Sequence, residues 1–219
     1  MFFVMQYKFR LNKIKYRQQL SAYKDKKTLE FHQHLADLFR LKKSDKVLDL
    51  GCGSGITLSC ITKKLSTAGK AVGIDIREDA IAFAERIMAK EISSGKAELL
   101  KSNISGKLVF HDKTFNKIVC HNVLECIPDK TNFINECYRI LKKNGILVMS
   151  HADFDSQVYN SSFPDLTRNL VHNYCDTQQD WQETSDAMIG RKLQGIFKKT
   201  KFKKFRLETY VKYNTVFNK

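Results

Sequence analysis

A chain of 219 residues, 42% hydrophobic and 28% charged, has the apolar material for one ordinary domain, which excludes a disordered chain or a disulfide-stapled miniprotein. With 2 Pro and 10 Gly it is neither collagen-like nor a Pro-rich linker, and no apolar run approaches the ~20 residues that span a bilayer. Lys+Arg number 38 against 23 Asp+Glu, a net +15. That charge is uneven: residues 151–186 hold seven acids and the single base Arg168, so the block carries −6 and the rest of the chain +21. A basic body suits a nucleic acid or an acidic surface; a lysine-rich solvated exterior is the plainer reading.

Residues 1–5 are apolar, but basic residues from Lys8 onward interrupt them before a signal-peptide core is reached, so no export and a cytoplasmic location are expected. Cys52, Cys60, Cys120, Cys126, Cys137 and Cys175 form no CxxC and no zinc spacing with His. They read as reduced, mostly buried small hydrophobes, with no metal site expected. The basic stretch 7–27 reads as an arm or short helices. Phe31, Leu35, Leu38 and Phe39 then recur at helical spacing over 28–41. A strand at 46–50 runs into Gly51-Cys52-Gly53-Ser54-Gly55, followed by a helix to about 65 and a strand at 71–76. Next come a helix over 79–93, strands at 97–101 and 116–120, a helix over 130–142 and an apolar strand at 145–150. Strands alternating with helices at this spacing predict a doubly wound, mostly parallel α/β sheet covered on both faces.

Beyond Ser150 the pattern changes. Leu166, Leu170 and Tyr174 mark one helix face, and Thr177 followed by Asp180 predicts the capped start of a second helix to about 193. Six Lys/Arg fall within 198–206, and residues 205–217 alternate like a strand.

The glycine segment carries the chemistry. Glycines let the backbone approach a ligand where a Cβ would clash, and the following helix N-terminus offers unpaired N–H groups to an anionic end. Ile56 takes the place of the third glycine of the dinucleotide fingerprint, which weakens a nicotinamide reading. Asp75 ends the next strand, twenty residues after Gly55, where a carboxylate can accept both hydroxyls of a ribose.

With these residues in register, the stretch 45–150 resembles the class I (Rossmann-like) S-adenosylmethionine (SAM)-dependent methyltransferases of small-molecule type. VLDLGCGSG is similar to their first motif, VGIDI to the second strand, FNKIVCHNVLECIPD to the fourth strand and its loop, and ILKKNGILVMS to the helix and strand after that. The resemblance implies SAM as cofactor. It places the methionine end at Asp49 and Gly51, Cys52, Gly53 and Gly55, the ribose at Asp75 and the adenine on Ile76. Asn103 stands where the family often has Asp for the adenine amine, and its amide oxygen can accept the same bond. The loop after strand four reads Leu124-Glu125-Cys126 where the family often reads LEH, leaving His121 as the candidate for the cofactor's amino-acid end.

The acidic block after strand five is expected to choose the methyl acceptor, because open α/β sheets hold ligands at the carboxyl ends of their strands. His151, Asp153 and Asp155 are the catalytic candidates, and opposite charge favours a small cationic or amine-bearing metabolite. A solvated loop is the plainer alternative. A nucleic-acid methyltransferase gripping RNA through the arm and 198–206 is a competing reading, but no Asn/Asp-Pro-Pro-aromatic run and no Pro-Cys nucleophile is present. A non-catalytic SAM-binding module is the third. The expected organisation is an N-terminal arm and helix acting as lid (1–44), a SAM-binding core (45–150), an acidic helical substrate insert (151–195) and a C-terminal strand region (196–219). No membrane insertion is expected; a homodimer is a further expectation. Reading 205–213 as strand six leaves too little chain for the family's last strand. The chain thus looks truncated, with 145–150 near an incomplete sheet edge.

Overall fold

Lys46–Leu50 (β1), Lys70–Asp75 (β2), Ala97–Lys101 (β3), Phe115–His121 (β4) and Leu141–Ser150 (β5) pair in one all-parallel sheet of spatial order β3-β2-β1-β4-β5. The computed structural model describes residues 20–177 and 186–211. Strand order reverses between β1 and β4, which opens the crevice where sheets of this kind bind ligands. Alternate residues of each central strand bury on opposite faces. Leu48, Leu50, Ile118 and Cys120 join one core with Phe133, Ile134 and Cys137. Val47 and Val119 join the other with Ala36, Phe39, Leu58 and Ile61. This two-sided burial makes the strands read as nearly continuous apolar runs.

The helices follow their local signals. Lys26–Asp37 (α1) starts at Asp25, whose side chain accepts from the Thr28 amide at 2.7 Å. Ile56–Thr62 (α2) follows the glycine loop and ends one turn before the predicted limit. The helix predicted over 79–93 is two, Glu78–Ile87 (α3) and Ala89–Ser93 (α4), because Met88 leaves helical geometry at φ −103°, ψ 18°. Lys130–Ile140 (α5) is capped by Asp129, which accepts from the Asn132 amide at 2.9 Å. β5 begins earlier than predicted: Leu141 pairs with Phe115, the ladder then slips, and Ile146 resumes it opposite Lys117. Asn144 absorbs the slip with φ 64°, a conformation that Asn tolerates.

After β5, Pro164–Asp176 (α6) and Ile189–Lys198 (α7) form, joined to the sheet end by a short 3-10 turn at Phe154–Ser156. The helix start expected at Thr177–Asp180 falls largely on residues outside those described. The strand expected at 205–213 is a correction, since 205–211 contains no strand and the rest lies outside the described residues. Aromatic contacts take over there. Phe202 packs on Tyr138 and Phe197, Phe205 on Phe197, and Tyr210 on Phe31 and His34 of α1. An alternating pattern satisfied by ring packing has no need of a ladder partner. Among the described residues the sheet therefore stops at β5, with 145–150 at its edge.

Candidate cofactor and acceptor site

β1 ends in Asp49 and Leu50 and breaks into a loop in which Gly51, Gly53 and Gly55 all take positive φ. A Cβ on Gly51 would lie 2.2 Å from Val123 Cγ2, so only glycine lets β1 turn beneath the loop after β4. At Gly53 (φ 51°) an added Cβ would meet nothing within 4 Å, so the loop's inner edge borders open space. Asp75, 9% exposed at the end of β2, holds this loop in shape. Its Oδ2 accepts from the Gly53 amide at 2.8 Å and its Oδ1 from the Arg77 amide at 2.9 Å. Ile76 beside it is 61% exposed, an apolar platform at the crevice. The Cys52 thiol is buried in this turn, and burial, then the charges of Asp49 and Asp75, push it far up and away from nucleophilic use.

Asp49 lies beneath the loop, with Oδ2 buried and without a hydrogen-bond partner. Burial, with the Asp75 charge adding, pushes its carboxyl up to about 8. Asn103 does not fit its expected part well, because its amide oxygen already accepts from both the Ser105 amide (2.9 Å) and the Ser105 hydroxyl (2.8 Å).

At the ends of β4 and β5, His121 Nδ1 lies 2.8 Å from Ser150 Oγ, and its ring packs on Phe31 and His32 of α1. Burial, with His32 and His151 close by, pulls this imidazole down to about 3, so it is neutral at physiological pH. Asn122, at φ 52°, donates its amide to the Ser150 carbonyl and accepts from the Ala152 amide at 2.8 Å, which fixes the exit from β5. The His151 side chain is fully buried. Its Nδ1–H donates to the Ala152 carbonyl (2.7 Å), leaving the lone pair on an Nε2 that has no hydrogen-bond partner and lies 3.9 Å from Glu125 Oε2. Burial lowers the His151 pKa and, with Asp186 adding, raises that of Glu125.

Asp153 and Asp155 are otherwise occupied. Arg191 of α7 grips Asp153 with two bonds of 2.6 Å and reaches Asp155 at 3.1 Å, while His172 of α6 donates to the other oxygen of Asp155 at 3.1 Å. The Arg191 guanidinium holds Asp153 below the usual carboxylate range. Gly190 permits this latch, since a Cβ there would sit 2.9 Å from that of Asp153.

The family model described as "Methyltransferase domain" matches residues 41–213. The chain belongs to the SAM-dependent methyltransferases. Among curated relatives, a demethylmenaquinone methyltransferase of Lactiplantibacillus plantarum is 23% identical over 78% of this chain and 75% of its own length. A ubiquinone biosynthesis O-methyltransferase of Pseudomonas putida is 31% identical over 52% of this chain and 47% of its own length. The chain spans about half the length of most of these curated relatives. A SAM-dependent methyltransferase from Aquifex aeolicus shares the fold, with a TM-score of 0.54 and 23% identity over 70% of this chain and 86% of its own.

SAM is the family's cofactor, and the residues present fit it: an orphaned buried oxygen on Asp49, open space at Gly53 and an exposed Ile76 beside Asp75. Sequence reasoning expected a lid in 1–44 but named none of its contacts with the glycine loop and α2. The Tyr23 hydroxyl donates to the Ser54 carbonyl at 2.7 Å, its ring packs on Phe83, and His32 Nδ1 lies 2.8 Å from Thr57 Oγ1 at the start of α2. Only an aromatic in a basic stretch signalled them. Tyr23→Phe deletes one bond to the loop, worth about 1 kcal/mol, so calorimetry should show SAM binding about fivefold weaker. Parental affinity would refute this covering role.

Proposed function

We propose that this methyltransferase moves the methyl group of SAM to a small, amine-bearing acceptor held at the carboxyl ends of β4 and β5. The observation that carries the reading is the glycine loop tied by its Gly53 amide to Asp75, with open space at Gly53. When bound, SAM supplies a methyl group on a sulfonium for in-line displacement, so the protein's task is alignment and proton removal. Asp49 and the loop from Gly51 through Cys52 and Gly53 to Gly55 would hold the methionine end, with His121 beside it. Asp75 would take the ribose, and Ile76 the adenine face. Asn103 would contribute only through its amide N–H groups, as its oxygen is spent.

His151 would receive the acceptor's proton, since its Nε2 lone pair has no partner and burial keeps the ring neutral. Asp153 and Asp155 would act through Arg191, setting the loop that carries His151. Their charges are shared with that guanidinium, and that of Asp186 with Lys192, so the case for an amine rests on the acidity of the insert as a whole. In this reading 1–44 is the lid, 45–150 the cofactor core and 151–195 the acceptor insert.

Metabolite profiling with the purified protein and SAM should yield a product heavier by one methylene. Turnover on RNA alone, abolished by neutralising 198–206, would overturn the small-molecule reading. Asp153→Asn should raise KM several-fold with little change in Tm, because the pair with Arg191 is partly exposed. An unchanged KM would remove Asp153 from the acceptor site.

A further inference from the structure

The helix after β5 hides the wrong side for a purely structural element. Phe163, Leu166, Leu170 and Tyr174 recur at spacings of three and four, so they form one ridge along α6. All four face solvent, at 68%, 58%, 61% and 61% exposure, and Val158 and Tyr159 just upstream are exposed as well. The packing side is a different one, through half-buried Thr167, Val171 and Cys175. An apolar ridge this continuous is uncommon on a monomer and marks a surface that is covered in use.

We propose that the α6 ridge docks on an anionic lipid surface, with the cationic segment 198–206 supplying the electrostatic attraction. Charge selects this occupant. The negative field beside the ridge is reduced, because Asp165 is paired with Arg168, Asp153 and Asp155 with Arg191, and Asp186 with Lys192. Away from the insert the chain is strongly basic, and 198–206 holds six Lys/Arg in nine residues. Phe205 in that segment and Leu207 just beyond it are exposed, the mixture of apolar and cationic groups that anionic bilayers hold at their interface. The two features share an anchor. Asp155 accepts from His172 of α6 and from Arg191 of α7, and α7 runs on from Arg191 for about seven residues, about 10 Å, to the first lysine of the cluster. An aromatic at each end with leucines between suits the boundary between headgroups and acyl chains. A ridge standing this far into solvent encloses no small ligand, which disfavours the acceptor itself as its occupant. No helix among the described residues is long and apolar enough to cross a membrane, so the contact is interfacial.

The inference goes beyond methyl transfer and is read without turnover. The full chain should co-sediment with vesicles of phosphatidylcholine mixed with phosphatidylglycerol, weakly or not at all with phosphatidylcholine alone, and less as salt rises. Leu166→Gln with Leu170→Gln should cut binding about tenfold or more. Lys203→Gln with Lys204→Gln should cut it several-fold and flatten the salt dependence. Circular dichroism and SAM calorimetry on each variant should match the parent, so a lost cofactor site is told apart from a lost docking face. If the double leucine variant loses helix, Phe163→Gln, which lies outside α6, carries the same test. Failure to bind the mixed vesicles, or binding indifferent to the leucine and phenylalanine changes, overturns the proposal. So does a dimer in sedimentation velocity that the leucine changes dissociate, which would assign the ridge to a second copy.

Discussion

Asp75→Ala lowers SAM affinity at least about tenfold and loosens the glycine loop in the same step. Hydrogen bonds to a carboxylate contribute about 1.5–3 kcal/mol each, and about 1.4 kcal/mol is tenfold in affinity. Asp75 has two oxygens, each already accepting one backbone amide, from Gly53 and from Arg77. Each retains a lone pair for a ribose hydroxyl. Alanine therefore removes the ribose contacts and strands two amides at the mouth of the crevice. A lower Tm is expected alongside the weaker binding. Asp75→Asn separates the two roles, since its oxygen can serve one amide while its NH2 opposes the other. Calorimetry on both variants is the check, and an Asp75→Ala protein that binds SAM as tightly as the parent would remove the main support for this cofactor geometry.

Asp49→Asn makes the ligand-free protein more stable in alkaline solution. The Asp49 carboxyl stands at about 8 in the fold against 3.8 in an unperturbed chain, chiefly through burial and secondarily through the Asp75 charge. The folded state thus holds a proton that the unfolded state releases. Stability falls as pH rises from about 4 to about 8 and levels off above that. Each unit of such a shift corresponds to about 1.4 kcal/mol. Asn mimics the protonated acid and cannot ionise. Denaturant unfolding should find parent and variant alike near about pH 3, and the variant ahead by about 2 kcal/mol or more near about pH 9. The same substitution should weaken SAM binding, because the cofactor's ammonium end loses a carboxylate to face. It should also abolish the proton release that accompanies binding in the parent. A constant stability gap across that pH range would show that Asp49 does not titrate in the fold.

Local signals carried far. The glycine loop, Asp75 and the alternation of strand and helix were legible because each depends on residues adjacent in sequence. A turn that needs positive φ shows as Gly51, Gly53 and Gly55, and two-sided burial shows as the apolar runs of β1 and β4. The break at Met88 and the slip in β5 were not legible, since both answer to packing across the sheet rather than to propensity.

The amino-acid sequence by itself determined the fold family, the glycine loop after β1 and the acid at the end of β2, because each is written in residues adjacent along the chain. What the acidic block does was decided only by tertiary structure. Read along the chain, Asp153 and Asp155 are free charges awaiting a cation; in the fold, Arg191, more than thirty residues away, holds both. A lid in 1–44 was expected, but that Tyr23 meets Ser54 while Phe31 and His32 pack on His121 depends on where α1 docks. The pattern of Leu166, Leu170 and Tyr174 announced a helix with an apolar face, yet periodicity reports only that such a face exists. Which face packs is settled by the competition among all elements for burial, and on α6 it is the side of Thr167, Val171 and Cys175 that is half-buried.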